Sequence, residues 1–348
     1  MTTNKKIHSM KSFQKFFQNQ IFIDTLLTII VFLVMILILS NPARYTSGTI
    51  EGLKLFFYSV LPGLFPFMLL TKLLTEIGLV FKISKKLNKV SNFIFKTPGV
   101  SLYAFLMSIL SGYPIGAKII ADLYNKNLIT EQDAKRMSIF CTTSGPIFII
   151  SSVGISMFGN YKIGIILYVS HILSSIIMGI LYSWLLKNNN NTANLSHVIQ
   201  NTQKCSNSEI VVNAVSSTIN SLFVVGAYIT IFYLVTEIIA SINIIPIFSN
   251  FAFKFLKQFG ISKNEITGFF YGLIEVTRGA KTLSLSPSIF SIVFTSGILS
   301  FSGFSIIMQS MAFLKQAKIK THFFVITKSV HMILSMILCF VLLSFSFV

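Results

Sequence analysis

Glu275, Thr277 and Arg278 put a carboxylate, a hydroxyl and a guanidinium within four residues of one another inside an otherwise apolar stretch that runs on into Gly279. A charge at mid-membrane costs ~2.5–3.5 kcal/mol even on lenient insertion scales, so such groups must face a cavity or one another. At i and i+3, Glu275 and Arg278 can pair across one helical turn, either as part of a binding site or as a structural clasp. Glu76 and Glu237 form a second set, in the matching triplets Thr75-Glu76-Ile77 and Thr236-Glu237-Ile238. A carboxylate in a span can coordinate a cation or relay a proton; at a span's end it is solvated among headgroups. Ser111-Gly112, Thr143-Ser144-Gly145 and Ser302-Gly303 form a third set, each interrupting an apolar run. A broken helix frees backbone amides and carbonyls, and its half-helix ends offer partial charges to an ion or solute. Gly and Ser also serve close helix packing in membranes.

Other polar residues read more plainly. Lys118 and Lys281 are expected to snorkel toward the interface. His171 and His331, inside apolar runs, are expected to be neutral and hydrogen-bonded across helices. Asp122, Glu131, Asp133, Lys135 and Arg136 read as a solvated loop face. Cys141, Cys205 and Cys339 are widely spaced and odd in number, which supports neither a disulfide framework nor a zinc site. No Ser/His/Asp order, HExxH, Walker or dinucleotide glycine motif occurs. The expectation is therefore a non-enzyme with no catalytic residue, no metal site and no cofactor.

The elements that position these groups belong to a membrane protein. Of 348 residues, 53% are hydrophobic and 11% charged, against about 25% charged in soluble domains. A net charge of +18 raises the question of nucleic acid. The basic residues sit in short runs flanking apolar stretches, which is how cytoplasmic loops face anionic lipid, so the partner expected is the bilayer.

The apolar run Ile21 to Ser40 follows Lys5, Lys6, Lys11 and Lys15. It reads as a retained span with a cytoplasmic N-terminus, leaving Asn41 to Glu51 as an outer loop. A second span, about Leu53 to Val80, is interrupted near Pro62-Gly63. The stretch Lys82 to Lys96 then fits a surface amphipathic helix. Val100 to Leu110 and Ile115 to Leu123 flank Ser111-Gly112-Tyr113-Pro114 as a re-entrant hairpin, whose irregular tip must lie in protein or line a wet cavity. After the polar loop Tyr124 to Arg136, Met137 to Phe158 crosses with a break at Thr142 to Pro146, and Tyr161 to Leu186 returns. The second half repeats the plan: a span over Ile210 to Ile242, a surface segment over Asn243 to Lys263, and a hairpin over Ile266 to Leu285. A broken crossing over Ser288 to Phe313 and a final span over Phe323 to Phe345 complete it.

Landmarks recur in one order at a spacing of about 160 residues: Glu76 with Glu237, Gly116-Ala117-Lys118 with Gly279-Ala280-Lys281, Ser144-Gly145 with Ser302-Gly303, His171 with His331. The chain thus divides into a basic arm and first span (1–48), one repeat (49–187), an Asn/Thr/Ser-rich cytoplasmic linker (188–208) and a second repeat (209–348). Three crossings per half predict that the two repeats are inverted, an all-α transporter-like architecture. Under that topology Lys254, Lys257 and Lys263 would lie outside, against the positive-inside trend.

The runs Ser111-Gly112-Tyr113-Pro114-Ile115-Gly116-Ala117-Lys118 and Phe140 to Gly154 carry a family likeness. With Leu61 to Gly78 and Phe270 to Lys281, they resemble the YlbJ-type sporulation integral membrane proteins, within the wider set that carries the nucleoside-recognition, or Gate, domain. The resemblance covers about residues 50 to 345. It implies a Gate-type membrane protein of sporulation with a role in spore envelope or cortex formation and sporulation proteins as partners, and fixes no substrate; a small solute or ion as cargo is read from the paired breaks flanked by polar residues. A membrane scaffold for envelope-assembly factors is the alternative. Tyr113-Pro114 stands where nucleoside transporters carry a polar tip, so the resemblance does not extend to a nucleoside site.

Overall fold

The computed structural model describes residues 24–77, 79–185 and 207–346. The basic arm up to residue 23 and the linker up to residue 206, with Cys205, lie outside the described residues. Among the described residues all regular structure is helical.

Helix α1 (Asp24–Ser40) meets the next helix at 106°. The turn is written in the sequence: Asn41 accepts from the Arg44 amide at 3.3 Å and Pro42 takes the first helical position, so α2 (Pro42–Leu55) starts at once. The outer loop expected over Asn41 to Glu51 is therefore mostly helix. A single wide π-type turn, Phe56–Val60, joins α2 to α3 (Leu61–Glu76), and Pro62 falls at that junction, where the hydrogen-bond register already shifts.

Helix α4 (Leu79–Phe95) covers the basic stretch and bends by 85° into α5 (Val100–Ser111). Next come α6 (Ile115–Asn125) and α7 (Glu131–Phe140), a π-helical segment (Ile147–Met157), and α8 (Tyr161–Leu185). The second half holds α9 (Asn207–Ser241), α10 (Ile244–Leu256), α11 (Lys263–Ile274), α12 (Val276–Ser284), α13 (Ile289–Phe301), α14 (Gly303–Leu314) and α15 (Thr321–Ser346).

Three helix starts follow one local rule. Thr130 with Asp133, Ser262 with Glu265 and Ser288 with Ser291 each form a capping box, opening α7, α11 and α13. The first box explains a correction: α7 begins at Glu131, so the polar loop ends six residues earlier than the hydropathy of Met137 suggests. Its charges are not uniformly solvated either. Asp133 is spent on the cap and buried. Arg136, also buried, donates to the Lys96 carbonyl at 2.7 Å, while Glu131 and Lys135 are exposed as expected.

By length and composition four helices can cross a membrane, over Tyr161–Leu185, Ser208–Ser241, Ile289–Ala317 and Thr321–Phe345; two bent pairs raise the number to as many as six. Large apolar side chains such as Phe32, Ile36, Phe223, Phe251 and Ile337 stand exposed. A surface that apolar on spans that long is a lipid-facing surface. Inside, α8 packs on α15, and both meet α13 through a ladder of hydroxyls: Ser170 with Ser296 at 3.0 Å and Ser296 with Ser335 at 2.7 Å. Small hydroxylated residues let these backbones approach while every hydroxyl finds a partner.

Candidate functional site

Both hairpins are bent by backbone that no helix can continue. At the first, Gly112 adopts φ +83° between α5 and α6, followed by a cis Tyr113–Pro114 bond. At the second, Glu275 is extended (φ −138°, ψ 113°): its amide donates to the Tyr271 carbonyl at 2.8 Å to close α11, and its carboxylate accepts from the Arg278 amide at 2.7 Å to open α12. Each hairpin tip then rests on the interrupted helical segment of its own half. A Cβ on Gly112 would lie 2.6 Å from the Gly145 amide nitrogen, in the irregular stretch between α7 and the π-helical segment. A Cβ on Gly303 would lie 3.0 Å from the Gly272 carbonyl and 3.2 Å from the Val276 nitrogen. Glycine is required at both contacts because backbone meets backbone.

Between the two tips lies a cavity of about 400 Å³. Ser111, Gly112, Tyr113, Ser144 and Gly145 line it from the first half, and Glu275, Thr277, Ser305 and Gln309 from the second. Ser152 and Ser156 add hydroxyls from the π-helical segment, and the rest of the wall is mainly apolar, including Leu64, Phe67, Phe148 and Val225. Glu275 is only 5% exposed. The Ser111 hydroxyl is buried without a protein partner among the described residues, and the Gln309 amide donates to Ser305 at 3.2 Å. A concave, mainly apolar chamber with a few convergent polar groups is the usual form of a small-solute site.

Of the residues singled out by spacing, the cavity gathers Ser111, Gly112, Ser144, Gly145, Glu275 and Thr277. Thr143 stands just behind, its amide and hydroxyl bonded to the Ser108 hydroxyl at 3.0 and 2.9 Å. Ser302 and Gly303 brace the second tip from outside the lining. Arg278, Glu76 and Glu237 are elsewhere. The local pair between Glu275 and Arg278 does not form, because capping α12 commits the Glu275 carboxylate to a backbone amide. The Arg278 guanidinium instead reaches Glu237 on α9 at 2.8 Å and stacks over Tyr271, while Arg44 approaches Glu237 at 3.4 Å. Glu76 lies in a corresponding cluster, with Lys72 at 3.3 Å and Lys126 at 3.0 Å; Lys72 and Lys118 both reach Asp122. Lys118 is thus paired where snorkelling was expected, and Lys281 is exposed. The duplicated carboxylates tie a long helix to its own hairpin, and neither lines the cavity.

His171 and His331 do sit together, buried and stacked with ring centroids 5.0 Å apart. The Ser144 amide donates to His171 Nε2 at 2.9 Å, so the ring's proton is on Nδ1, facing the Ser300 hydroxyl at 2.8 Å. His331 Nε2 lies 3.1 Å from the His171 carbonyl, which can only accept. The break in the first half is therefore held by an imidazole, in the manner expected of histidines bonded across helices.

Two groups escaped notice in the sequence. Gln309 and Ser305 read as ordinary residues of a crossing helix. Lys328, 1% exposed in α15, donates to the Tyr113 hydroxyl at 2.7 Å and to the Thr142 carbonyl, with Tyr113 and Phe324 rings beneath it. A Lys next to a polar Thr327 resembles an interfacial anchor, and the residues give no local sign that it turns inward.

Fold and site together define a multi-pass membrane protein, helical throughout its regular described structure, with a cavity between two interrupted helices. The chain is 27% identical over 300 residues to the sporulation integral membrane protein YlbJ of Bacillus subtilis (strain 168), a match that spans 81% of this chain and 74% of that protein. The resemblance to YlbJ-type proteins drawn from the hairpin and break motifs thus extends over most of the sequence. No family model matches the chain, and no solved structure does.

Proposed function

We propose that this protein moves a small solute or ion across a membrane during spore envelope or cortex formation, through the chamber between the two hairpin tips. The observation that carries the reading is that one cavity is lined by both tips, with a buried carboxylate and an unpartnered serine hydroxyl among its walls. Two inverted Gate-type repeats would supply the motion. Each hairpin, braced on its own broken crossing, would rock against the other and open the chamber to one side at a time, with the N-terminus in the cytoplasm. The sporulation setting comes from the similarity to YlbJ. The stacked His171 and His331, one repeat interval apart, support a pseudo-axis between the halves.

Reconstitution in liposomes with a solute panel tests this. Uptake by the purified protein is expected to fall at least about tenfold in Glu275→Gln and Thr277→Val, while Glu51→Gln, exposed on α2, leaves it unchanged. A scaffold for envelope-assembly factors makes the opposite prediction. It gives no uptake, cavity variants that sporulate normally, and defects from changes at the exposed residues of the stretch Tyr124 to Arg136, such as Asn127, Glu131 and Lys135.

A further inference from the structure

We propose that the Lys328 ammonium is a tethered cation, seated where the unwound backbone of a broken helix would otherwise hold a free monovalent metal ion. The inference deepens the translocator reading by naming how the first half is charged, and rests on it only for its meaning in transport. Helix α7 ends at Phe140 and the chain is irregular from Cys141 to Gly145, with Pro146 lacking an N–H to return, so the Thr142 carbonyl lacks the intrahelical partner it would have in an unbroken span. Such carbonyls, at the negative end of a half-helix, are the ligands that transporters use for alkali cations. Here the Thr142 carbonyl already has a cation: Lys328 Nζ, which also donates to the Tyr113 hydroxyl at 2.7 Å. The Tyr113 and Phe324 rings lie 4.8 and 5.6 Å from the same nitrogen, within the range of cation–π attraction.

Two oxygens and two ring faces make a cation cage whose guest is covalently attached. No carboxylate of the described residues is among the partners of Lys328. That distinguishes it from Lys72, Lys118 and Lys126, which all pair with Asp122 or Glu76. The titratable neighbours are Tyr113 from the first hairpin, His331 one turn along α15 and His171 on α8; α13 and α14 bring none. Lys135 of α7 stands over Phe323, more than a turn toward the start of α15. An unmatched charge buried this deeply is expensive, and the cage oxygens left bare would carry a cost of their own. A lysine that satisfies them makes the first tip independent of any bound metal ion.

The test is thermal unfolding of the purified full-length protein in sodium, potassium or choline chloride at equal ionic strength. The wild type is expected to melt at the same temperature in all three. Lys328→Ala should melt about 5 °C lower in choline chloride and recover part of that loss, saturably, in sodium or potassium. Lys328→Met, which fills the seat without charge, should be destabilised and indifferent to the salt. If Lys328→Ala does not fold, Lys328→Ser is read by the same criteria. The proposal is overturned if the wild type is itself saturably stabilised by sodium or potassium. It is equally overturned if the small-residue variant is as stable as wild type in choline, or is destabilised without responding to either metal ion. None of these readouts needs a transported solute, so a failure of liposome uptake would count against the translocator reading and leave the seat tested on its own.

Discussion

The two hairpin tips solve one problem with opposite charges. At the first, glycine makes the turn, a phenol lines the chamber, and a lysine from a distant helix lies behind it on a freed carbonyl. At the second, a glutamate makes the turn, lines the chamber and caps the helix that follows. The first tip borrows its charge from α15, the second carries its own. The halves share a scaffold, in which each tip rests on the interrupted helical segment of its own half through a glycine contact, and differ where they face the chamber. The glycine contact is thus common to both halves, and the difference between them lies in the residues each brings to the cavity.

The sharpest break in the shared frame should come from the duplicated glycines of Gly116-Ala117-Lys118 and Gly279-Ala280-Lys281. A Cβ on Gly116 would sit 1.6 Å from the Cys141 carbonyl oxygen, and one on Gly279 2.2 Å from the Gly272 Cα. Both contacts are with backbone, so Gly116→Ala and Gly279→Ala are each expected to cost about 3 kcal/mol or more. Loss of folded, monodisperse protein in detergent is the readout. Equal damage supports a common frame, and tolerance of either change would separate the halves.

Next in size is the second tip's self-capping. Glu275→Ala removes a helix cap as well as a cavity carboxylate and should lower stability by about 1–2 kcal/mol, while Glu275→Gln, which keeps an acceptor, should cost less than half of that. A thermal melt of the two variants separates the capping role from the charge. In the first half the matching experiment is Ser111→Ala. Its hydroxyl has no protein partner among the described residues, so stability should not fall and any effect should appear in uptake alone.

The smallest effects belong to the duplicated carboxylates. Glu76→Gln and Glu237→Gln each weaken partly exposed ion pairs, so losses of about 0.5–1 kcal/mol are expected, shrinking in high salt. A much larger effect at Glu237 alone, with uptake lost, would make the Arg278 link part of the moving machinery and sharpen the asymmetry.

Much of this frame is legible in the residues. The hairpins and breaks announce themselves because Gly and Pro in apolar runs leave few alternatives, whereas hydropathy reads Asn41 to Glu51 and Tyr124 to Arg136 as loops although Asn41-Pro42 and Thr130 to Asp133 carry the cap chemistry of helix starts. What the sequence conceals is long-range. Arg278 lies three residues from Glu275 yet bonds to Glu237, 41 positions away, because the cap has used the nearer carboxylate. Lys328 finds Tyr113 across 215 positions, and nothing near it in the chain marks it as buried. Periodicity and breaks report where a helix bends; they do not report which distant side chain fills the bend.

That both tips share one chamber open to solute is tested most directly by thiol chemistry. Ser111→Cys and Thr277→Cys would be made in a background with Cys141, Cys205 and Cys339 replaced by alanine, and treated with a charged, membrane-impermeant methanethiosulfonate. Both cysteines should react, a cysteine at buried Ser174 should not, and with both present modification of one should slow the other, since an adduct occupies much of a cavity of about 400 Å³. Two cysteines that react independently, or that both stay unreactive in folded protein, would contradict a single chamber between the tips.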